Sequence, residues 1–145
     1  MVKGTATWRI LVVDDNADAA ALLAVLLRLE GHEVQTAANG IEAVEMAEQF
    51  RPRVVLMDLH MPGLDGLEAS RQIRARPWGD TVLIAAITGW GREADRQRAR
   101  EAGVDLHFLK PVDTEYLLNV LGDKLRGTAG KAGAPPCTGS RSAPS

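Results

Sequence analysis

Short hydrophobic runs alternate with longer stretches of mixed polarity along the chain. Most of the runs are continuous rather than alternating, which is typical of strands that are buried on both faces of a parallel sheet. One run contains Gln35 and Thr36 and is therefore predicted to form an edge strand. The five predicted strands are residues 10–13, 34–37, 54–57, 82–87 and 106–109.

Five helices are predicted between and after these strands. The first covers residues 17–30, with apolar residues at helical spacing and Gly31 as its C-cap. The second follows Asn39 and ends before Pro52, because a proline ring disfavours helical backbone at the preceding residue. The third begins near residue 65 and ends by residue 77.

The last two helices differ in how much apolar surface they can bury. The fourth, at residues 92–102, offers only small apolar side chains, so it should be the most weakly packed helix and the easiest to shift. The fifth is capped by Asp113. The predicted buried residues are Ala94, Ala99 and Ala102 in the fourth helix and Leu117, Val120 and Leu121 in the fifth.

Five βα units indicate right-handed crossovers and a three-layer α/β sandwich. We divide the chain into an N-terminal extension at residues 1–8, one domain at residues 9–126, and a tail at residues 127–145. The tail consists largely of Gly, Ala, Pro and Ser, so it cannot bury enough apolar surface to order itself. It is predicted to be a disordered tail or a linker.

Composition and charge exclude several classes of protein. The length of 145 residues fits one domain, and the formal net charge of -2 provides no large basic field for direct nucleic acid binding. A single cysteine, Cys137, excludes an internal disulfide. The chain lacks the apolar segment of a signal peptide, and its longest apolar run, residues 19–27, is too short to span a bilayer. We therefore expect a cytoplasmic protein with no membrane association.

Five polar residues directly follow predicted strands. Asp14 and Asp15 follow the first strand, Asp58 the third, Thr88 the fourth and Lys110 the fifth. In an open parallel sheet, ligands bind at the carboxyl ends of the strands. Three carboxylates, one hydroxyl group and one ammonium group are therefore expected to converge on one rim of the sheet.

This rim is predicted to bind Mg²⁺. Three crowded carboxylates repel one another, and a hard cation with oxygen ligands removes that repulsion. Zinc and copper are not indicated, because Cys137 lies in the predicted tail and His32, His60 and His107 show no ligand spacing.

The same rim is suited to phosphoryl chemistry. The Asp58 carboxylate can act as a nucleophile towards a phosphoryl group. Lys110 can stabilise the negative charge of the phosphoryl oxygens, and Thr88 can donate a hydrogen bond to one of them.

Each of these residues also has a purely structural interpretation. Asp14 and Asp15 could cap the first helix, and Thr88 could belong to an ordinary turn. The placement of Asp58 on the neighbouring strand end favours the metal interpretation. Lys110 lies between a buried strand and a proline, so it needs a partner, most simply a carboxylate. Outside the rim, we expect Trp8 and Trp78 to pack at the ends of elements.

Four segments together resemble the receiver domains of two-component response regulators. They occur in order and at the usual spacing, and the resemblance extends from residue 9 to about residue 125. The segments are LVVDDN at residues 11–16, MDLHMPGLDG at 57–66, ITG at 87–89 and LKP at 109–111.

The resemblance implies a flavodoxin-like fold with five parallel strands in the order 2-1-3-4-5 and five helices. It also implies that Asp58 accepts a phosphoryl group from the phosphohistidine of a histidine kinase or a histidine phosphotransfer protein. The implied Mg²⁺ ligands are Asp15, Asp58 and the backbone carbonyl of His60, with Asp14 acting partly through water. Thr88 is implied to move towards the phosphoryl group, and Lys110 to precede a cis bond to Pro111.

The sequence departs from the common family pattern at three positions. His107, three residues before Lys110, replaces the usual Tyr or Phe of the aromatic switch, and we expect it to be a half-buried strand residue. His60 and Trp90 occupy the positions that flank the path of the hydrolytic water in the family. We hypothesise that Trp90 screens the phosphoryl group and lengthens its lifetime.

We therefore expect a signalling phosphoacceptor rather than an enzyme. Phosphorylation would add about -2 charge at Asp58 and shift a two-state equilibrium, which changes a protein-interaction surface near the fourth helix and the fifth strand. The downstream effector is not identified by the sequence, and we expect a monomer or a phosphorylation-dependent dimer.

The sequence disfavours two other functions. An enzyme that turns over a phosphorylated small molecule is disfavoured, because 145 residues leave no room for a cap domain. An interaction module that has lost phosphorylation is disfavoured by the complete set of site residues.

Overall fold

The computed structural model describes residues 7–59, 66–89 and 93–130, with side chains at all of these except 93–95 and 126–130. Contacts divide the chain into two compact units, Met1–Val112 and Asp113–Ser145. The first unit contains all of the strands found in the described ranges. These strands are β1 (Arg9–Val13), β2 (Glu33–Ala37), β3 (Val54–Asp58), β4 (Leu83–Thr88) and β5 (Leu106–Leu109).

The five strands form one parallel sheet in the order β2-β1-β3-β4-β5. This order confirms the flavodoxin-like fold, and it confirms that the strand containing Gln35 and Thr36 lies at an edge. The central strand β3 has all five of its residues buried, as its continuous hydrophobic run predicted. The parallel arrangement brings the carboxyl ends of all five strands to the same edge of the sheet.

All five predicted helices are present. They are α1 (Ala17–Leu29), α2 (Gly40–Phe50), α3 (Gly66–Arg74), α4 (Glu93–Glu101) and α5 (Thr114–Gly130), with a short 3₁₀ helix at Gly79–Thr81. None of the helices in the described ranges is long and apolar enough to cross a bilayer.

Helices cover both faces of the sheet within the first unit. Alternate strand residues point to opposite faces. On one face, strand side chains such as Leu11 and Met57 form a single buried cluster with residues of α2, α3 and α4. On the other face, α1 contacts β1 and β2 and buries Ala20, Ala24 and Leu27. This sandwich holds the strand ends in fixed positions.

The first two helices begin at asparagine caps. The Asn16 side chain accepts a hydrogen bond of 3.0 Å from the backbone N–H of Ala19, and Asn39 serves α2 in the same way. Such caps satisfy N–H groups that have no partner within the helix. At the other end of α1 the cap residue is Glu30, and Gly31 follows it with φ +98. Gly31, the predicted cap, thus lies one residue beyond the observed cap and adopts the left-handed conformation that favours glycine.

The burial of α4 and α5 follows the predicted pattern with one exception. Ala99 of α4 and Ala102, which directly follows α4, are buried, whereas the Ala94 side chain lies outside the described residues. In α5, Leu117 and Leu121 are buried. Val120 was expected to be buried but is only half-buried.

The helix α5 begins at the predicted cap and extends beyond the predicted domain end. The Asp113 carboxylate accepts a hydrogen bond of 3.0 Å from the backbone N–H of Glu115, and the first backbone bond of the helix joins Leu117 to Asp113. The helix continues to Gly130, four residues past the predicted boundary at residue 126. Residues 131–145 lie outside the described ranges.

Two tryptophans pack at the ends of elements, as predicted. Trp8 precedes β1 and stacks on His32, with ring centroids 4.7 Å apart and planes 9° apart. The backbone N–H of Trp8 also donates a 3.1 Å hydrogen bond to Nδ1 of His32. Trp78 packs against the core cluster, and the Arg51 guanidinium lies over its ring at 4.8 Å. Trp8, placed by prediction in the N-terminal extension, is therefore tied to the start of β2.

The stability of the protein is expected to fall as pH decreases below about 6.5. Burial lowers the pKa of His32 from its usual 6.5, against an opposing effect of the Glu30 carboxylate. In that pH window the unfolded chain binds more protons than the folded one, so the free energy of unfolding decreases as pH falls. Urea unfolding between pH 7.5 and 5 measures this dependence. His32→Phe keeps a ring on Trp8 but cannot titrate, and an unchanged pH dependence in that variant would contradict the assignment.

Candidate functional site

The predicted site residues lie at the carboxyl ends of four strands. Asp14 directly follows β1, and Lys110 directly follows β5. Asp58 and Thr88 are the last residues of β3 and β4, so each lies one residue inside the strand end that was predicted to precede it. The Thr88 carbonyl accepts a 2.8 Å hydrogen bond from the backbone N–H of Lys110. The ends of the neighbouring strands β4 and β5 are therefore joined at the site.

Three carboxylates meet at this edge of the sheet. One carboxylate oxygen from each of Asp14, Asp15 and Asp58 lies within 4.8 Å of the others. Their exposure differs: Asp58 is 5% exposed, Asp14 is half-buried and Asp15 is exposed. The cluster thus extends from the interior of the sheet to solvent, which leaves one side open to an incoming group.

Lys110 contacts two of these carboxylates. Its Nζ lies 3.3 Å from Oδ2 of Asp58 and 3.9 Å from Oδ2 of Asp14. The prediction that Lys110 needs a carboxylate partner is therefore confirmed. Within these four side chains, one formal positive charge faces three formal negative charges, so the cluster attracts a further cation.

The conformation around Lys110 also agrees with the resemblance. The peptide bond between Lys110 and Pro111 is cis, as implied. Thr88 is 1% exposed, and it lies in register with Leu109 on the neighbouring strand β5. The backbone of both phosphate-binding candidates is therefore fixed by the sheet.

The capping interpretation of the two N-terminal aspartates is wrong. The residue that caps α1 is Asn16, which leaves Asp14 and Asp15 outside the cap. Asp14 instead accepts a 2.9 Å hydrogen bond from the backbone N–H of Asn16 through Oδ1. This bond orients the Asp14 carboxylate at the end of β1 and keeps its other oxygen on the side of Lys110.

Gly66 is a supporting residue whose role the sequence analysis missed. A Cβ atom at this position would lie 2.7 Å from the backbone oxygen of Asp58 and 3.0 Å from Cγ of Met57. The start of α3 can therefore approach the Asp58 backbone only because residue 66 has no side chain. The Ser70 hydroxyl donates a 2.8 Å hydrogen bond to the Gly66 carbonyl and stabilises this turn. The sequence signal for this close approach was the presence of a glycine at the predicted start of the third helix.

Of the three positions that depart from the family pattern, one lies in the described part of the chain and two lie outside it. His107 is half-buried in β5, as predicted, and lies in register with Ala86 of β4. His60 and Trp90 lie outside the described residues. The metal ligation by the His60 carbonyl and the screening role of Trp90 therefore stay predictions.

The donor set fits a hard divalent cation. It offers only oxygen atoms, and the exposed Asp15 and half-buried Asp14 leave space for the water molecules that Mg²⁺ retains. Among the described residues, no sulfur or imidazole belongs to the cluster, so its donor set does not resemble that of a zinc centre. The arrangement combines a carboxylate nucleophile, a cation site and an ammonium group within a few ångströms, which is what phosphoryl transfer to a protein side chain requires.

Comparison with known proteins agrees with the resemblance to receiver domains. A sequence model of the response regulator receiver domain matches residues 10–122. Protein PilH of Pseudomonas aeruginosa is 37% identical over 119 residues, which are 82% of this chain and 98% of PilH.

Two solved structures are also similar. The chemotaxis protein CheY4 of Vibrio cholerae has a TM-score of 0.77 at 29% identity, covering 81% of this chain and 98% of CheY4. The receiver domain of the sensor histidine kinase PA1611 of P. aeruginosa has a TM-score of 0.76 at 35% identity, covering 84% of this chain and 100% of that domain. In the PA1611 structure a magnesium ion is coordinated in the active site cleft.

Proposed function

Because the chain belongs to the response regulator receiver family and is a receiver domain of two-component signalling, we propose that Asp58 is its phosphoacceptor. The observation that carries the proposal is the 3.3 Å contact between Lys110 Nζ and Asp58 Oδ2, beside two further carboxylates. The direct test is the gain of one phosphoryl group on incubation with acetyl phosphate and Mg²⁺, measured as intact mass.

In the proposed reaction, a carboxylate oxygen of Asp58 attacks the phosphorus of a phosphohistidine on the donor protein. The P–O bond to Asp58 forms as the P–N bond breaks, and the electron pair of that bond stays on the donor imidazole. Lys110 remains protonated and places its positive charge against the phosphoryl oxygens. Thr88, which ends the neighbouring strand, supplies a hydroxyl group as a hydrogen-bond donor to one of these oxygens.

Asp14, Asp15 and Asp58 would hold Mg²⁺. When bound, the ion neutralises the carboxylates and the charge that develops on the phosphoryl oxygens. The role of the protein is to position Asp58 at the end of a fully buried strand and to keep Asp14 in place through the N–H of Asn16. The exposed Asp15 completes the cluster on the solvent side.

Removing one carboxylate from the cluster is expected to weaken Mg²⁺ binding. Asp15→Asn is predicted to raise the dissociation constant at least about tenfold, which corresponds to about 1.4 kcal/mol. Asp15 is exposed, so the substitution should leave the fold intact. Isothermal titration calorimetry with MgCl₂ measures the effect. Asp18→Asn changes an exposed aspartate of the same segment outside the cluster and should bind as the wild type does; equal affinities in the two variants would contradict the proposed ligand set.

The role we propose is that of an acceptor of phosphoryl groups rather than an enzyme acting on a small substrate. Receiver domains interact with histidine kinases or phosphotransfer proteins, and a protein of this kind is the proposed donor. The reaction would then proceed once per donor encounter, on Asp58 itself, in the cytoplasm. Steady-state turnover of a phosphorylated small molecule by the wild type would overturn this part of the proposal. Whether phosphorylation changes a monomer into a dimer is tested by light scattering before and after acetyl phosphate.

A further inference from the structure

A second polar surface lies at the opposite end of the sheet from Asp58. It is a groove of about 400 Å³ at the amino ends of β1, β3 and β4, and we call it the arginine groove. None of its lining residues in the described part of the chain carries a carboxylate, although the chain as a whole has a formal net charge of -2. Its lining residues are Thr7, Trp8, Arg9, Arg51, Pro52, Arg53 and Thr81.

Two of the three arginines are direct neighbours on adjacent strands. Arg9 begins β1 and Arg53 precedes β3, and the backbone N–H of Arg53 donates a 2.8 Å hydrogen bond to the carbonyl of Arg9. The register of the following pair, Ile10 with Val54, places the two arginines opposite each other. Like charges directly opposite on neighbouring strands are destabilising. An anion between them would remove this cost.

The carboxylates nearby neutralise two of the three guanidinium groups only in part. Arg9 Nε lies 3.5 Å from Glu33 Oε1, with both side chains more than half exposed. Arg51 Nη2 lies 2.9 Å from Glu48 Oε2. The Arg53 guanidinium makes no hydrogen bond or ion pair with any residue in the described part of the chain. Arg9 Nη1 also donates a 3.1 Å hydrogen bond to the Phe50 carbonyl, and Arg51 Nε donates a 2.8 Å bond to the Glu48 carbonyl. The unpaired positive charge of the groove therefore lies at Arg53.

The side chain of the third arginine, Arg51, is positioned by an unusual backbone conformation and by contact with the Trp78 ring. Arg51 has φ 52, a left-handed conformation that is costly for a residue other than glycine. This conformation ends α2 and directs the side chain so that its guanidinium lies over the Trp78 ring at 4.8 Å. A guanidinium that is already fixed loses less conformational entropy when a ligand binds.

We propose that the arginine groove binds a small organic phosphate. Three guanidinium groups with no lining carboxylate match the charge and the hydrogen-bond geometry of a phosphate, to which arginine donates in pairs. A volume of about 400 Å³ is that of a small-molecule site rather than of a polypeptide interface. Trp8 and Pro52 provide an apolar wall for the organic part of the ligand.

This site is separate from the phosphoacceptor. The strands β1 and β3 are five residues long, so the groove lies roughly 17 Å from the carboxylate cluster at about 3.3 Å per residue. Binding in the groove should therefore neither need Mg²⁺ nor depend on Asp58.

The test uses adenosine 5′-monophosphate as the probe, with EDTA present to exclude Mg²⁺, and calorimetric titration of the intact chain. We expect saturable binding of the nucleotide and none of adenosine. Arg53→Gln should weaken binding at least about tenfold, because two of the strongest hydrogen bonds to the phosphate are lost. Since Arg53 makes no side-chain bond in the described structure, the variant should fold as the wild type does. Arg71→Gln, an exposed arginine on α3, and Asp58→Asn should bind normally.

Three results would overturn the proposal: no saturable binding, equal affinity in the wild type and Arg53→Gln, or loss of binding in Asp58→Asn. A preference for citrate over the nucleotide would also overturn it, because the groove would then select carboxylates rather than phosphates. Thermal unfolding with and without the nucleotide provides a second readout. The unfolding midpoint should rise with nucleotide concentration in the wild type and stay constant in Arg53→Gln.

Discussion

Asp58→Asn is expected to abolish phosphorylation of this protein completely. An amide lacks the nucleophilic carboxylate oxygen, so no acyl phosphate can form at residue 58. The Asp58 carboxylate is also more buried than that of Asp14 and closer to Lys110 Nζ, at 3.3 Å against 3.9 Å. Wild-type protein incubated with acetyl phosphate and Mg²⁺ should gain the mass of one phosphoryl group within minutes, whereas the variant should gain none. The substitution conserves size, so the loss can be assigned to chemistry rather than to folding.

Two controls make this result specific. Asp18→Asn changes an exposed aspartate in the first turn of α1 and should be phosphorylated like the wild type. EDTA should prevent the reaction in the wild type, because the three crowded carboxylates then lack their cation. If Asp58→Asn still gains a phosphoryl group, another residue is the acceptor. If the wild type gains none while it binds Mg²⁺, the domain has lost phosphorylation and acts as an interaction module.

The largest effect on stability is expected at Arg74, the last residue of α3. Its side chain is 21% exposed and donates hydrogen bonds to three backbone carbonyls and one carboxylate. The guanidinium reaches Gly79 at 2.7 Å, Val82 at 2.6 Å and Gly103 at 2.6 Å, and it pairs with Asp105 Oδ2 at 2.6 Å. One side chain thus joins the end of α3, the 3₁₀ helix, the start of β4 and the loop before β5.

Arg74→Ala is predicted to lower the free energy of unfolding by about 3 kcal/mol, since it leaves three backbone carbonyls and the partly exposed Asp105 carboxylate without their arginine donor. Urea unfolding monitored by circular dichroism measures this change. Arg74→Lys should recover only part of the loss, because an ammonium group cannot reach acceptors in several directions at once.

Arg71→Ala is the matched control on the same helix. Arg71 pairs with Glu68 at 3.1 Å, but both side chains are close to half exposed, so this pair should contribute less than about 1 kcal/mol. A loss of stability in Arg74→Ala no larger than in Arg71→Ala would show that the hydrogen bonds of Arg74 are replaced by water at little cost.

The rim of the site could be predicted from the sequence because it depends on one rule of topology. Asp14, Asp58 and Lys110 each stand at the end of a hydrophobic run, and parallel strands bring such ends together whatever the loops do. The edge position of β2 followed equally well from its polar residues. For these features, the hydrophobic run that identifies each strand lies within one or two residues of the functional side chain.

The remaining features depend on contacts between distant parts of the chain. In the sequence, Arg74 is an ordinary basic residue at a helix end. Its acceptors at Gly79 and Gly103 are backbone carbonyls, which every residue has, so no residue type marks them in advance. The close approach of Gly66 to the Asp58 carbonyl could not be predicted, since it requires the packing of α3 to be known. The capping interpretation of Asp14 and Asp15 was wrong because α1 is capped by the next residue, Asn16, and sequence patterns locate helix ends only to within a residue or two.

The position of Asp58 at the end of β3 has a consequence for slow motions of the domain. Amides of a strand that is buried throughout and paired on both sides exchange with solvent only when the whole domain unfolds, whereas edge strands and helix ends exchange through local opening. The residue to be modified therefore directly follows four residues, 54–57, that are paired with both β1 and β4 and should be among the last to lose their hydrogen bonds. A donor protein cannot gain access to Asp58 by local melting of β3, and must reach it through the solvent-facing side of the carboxylate cluster.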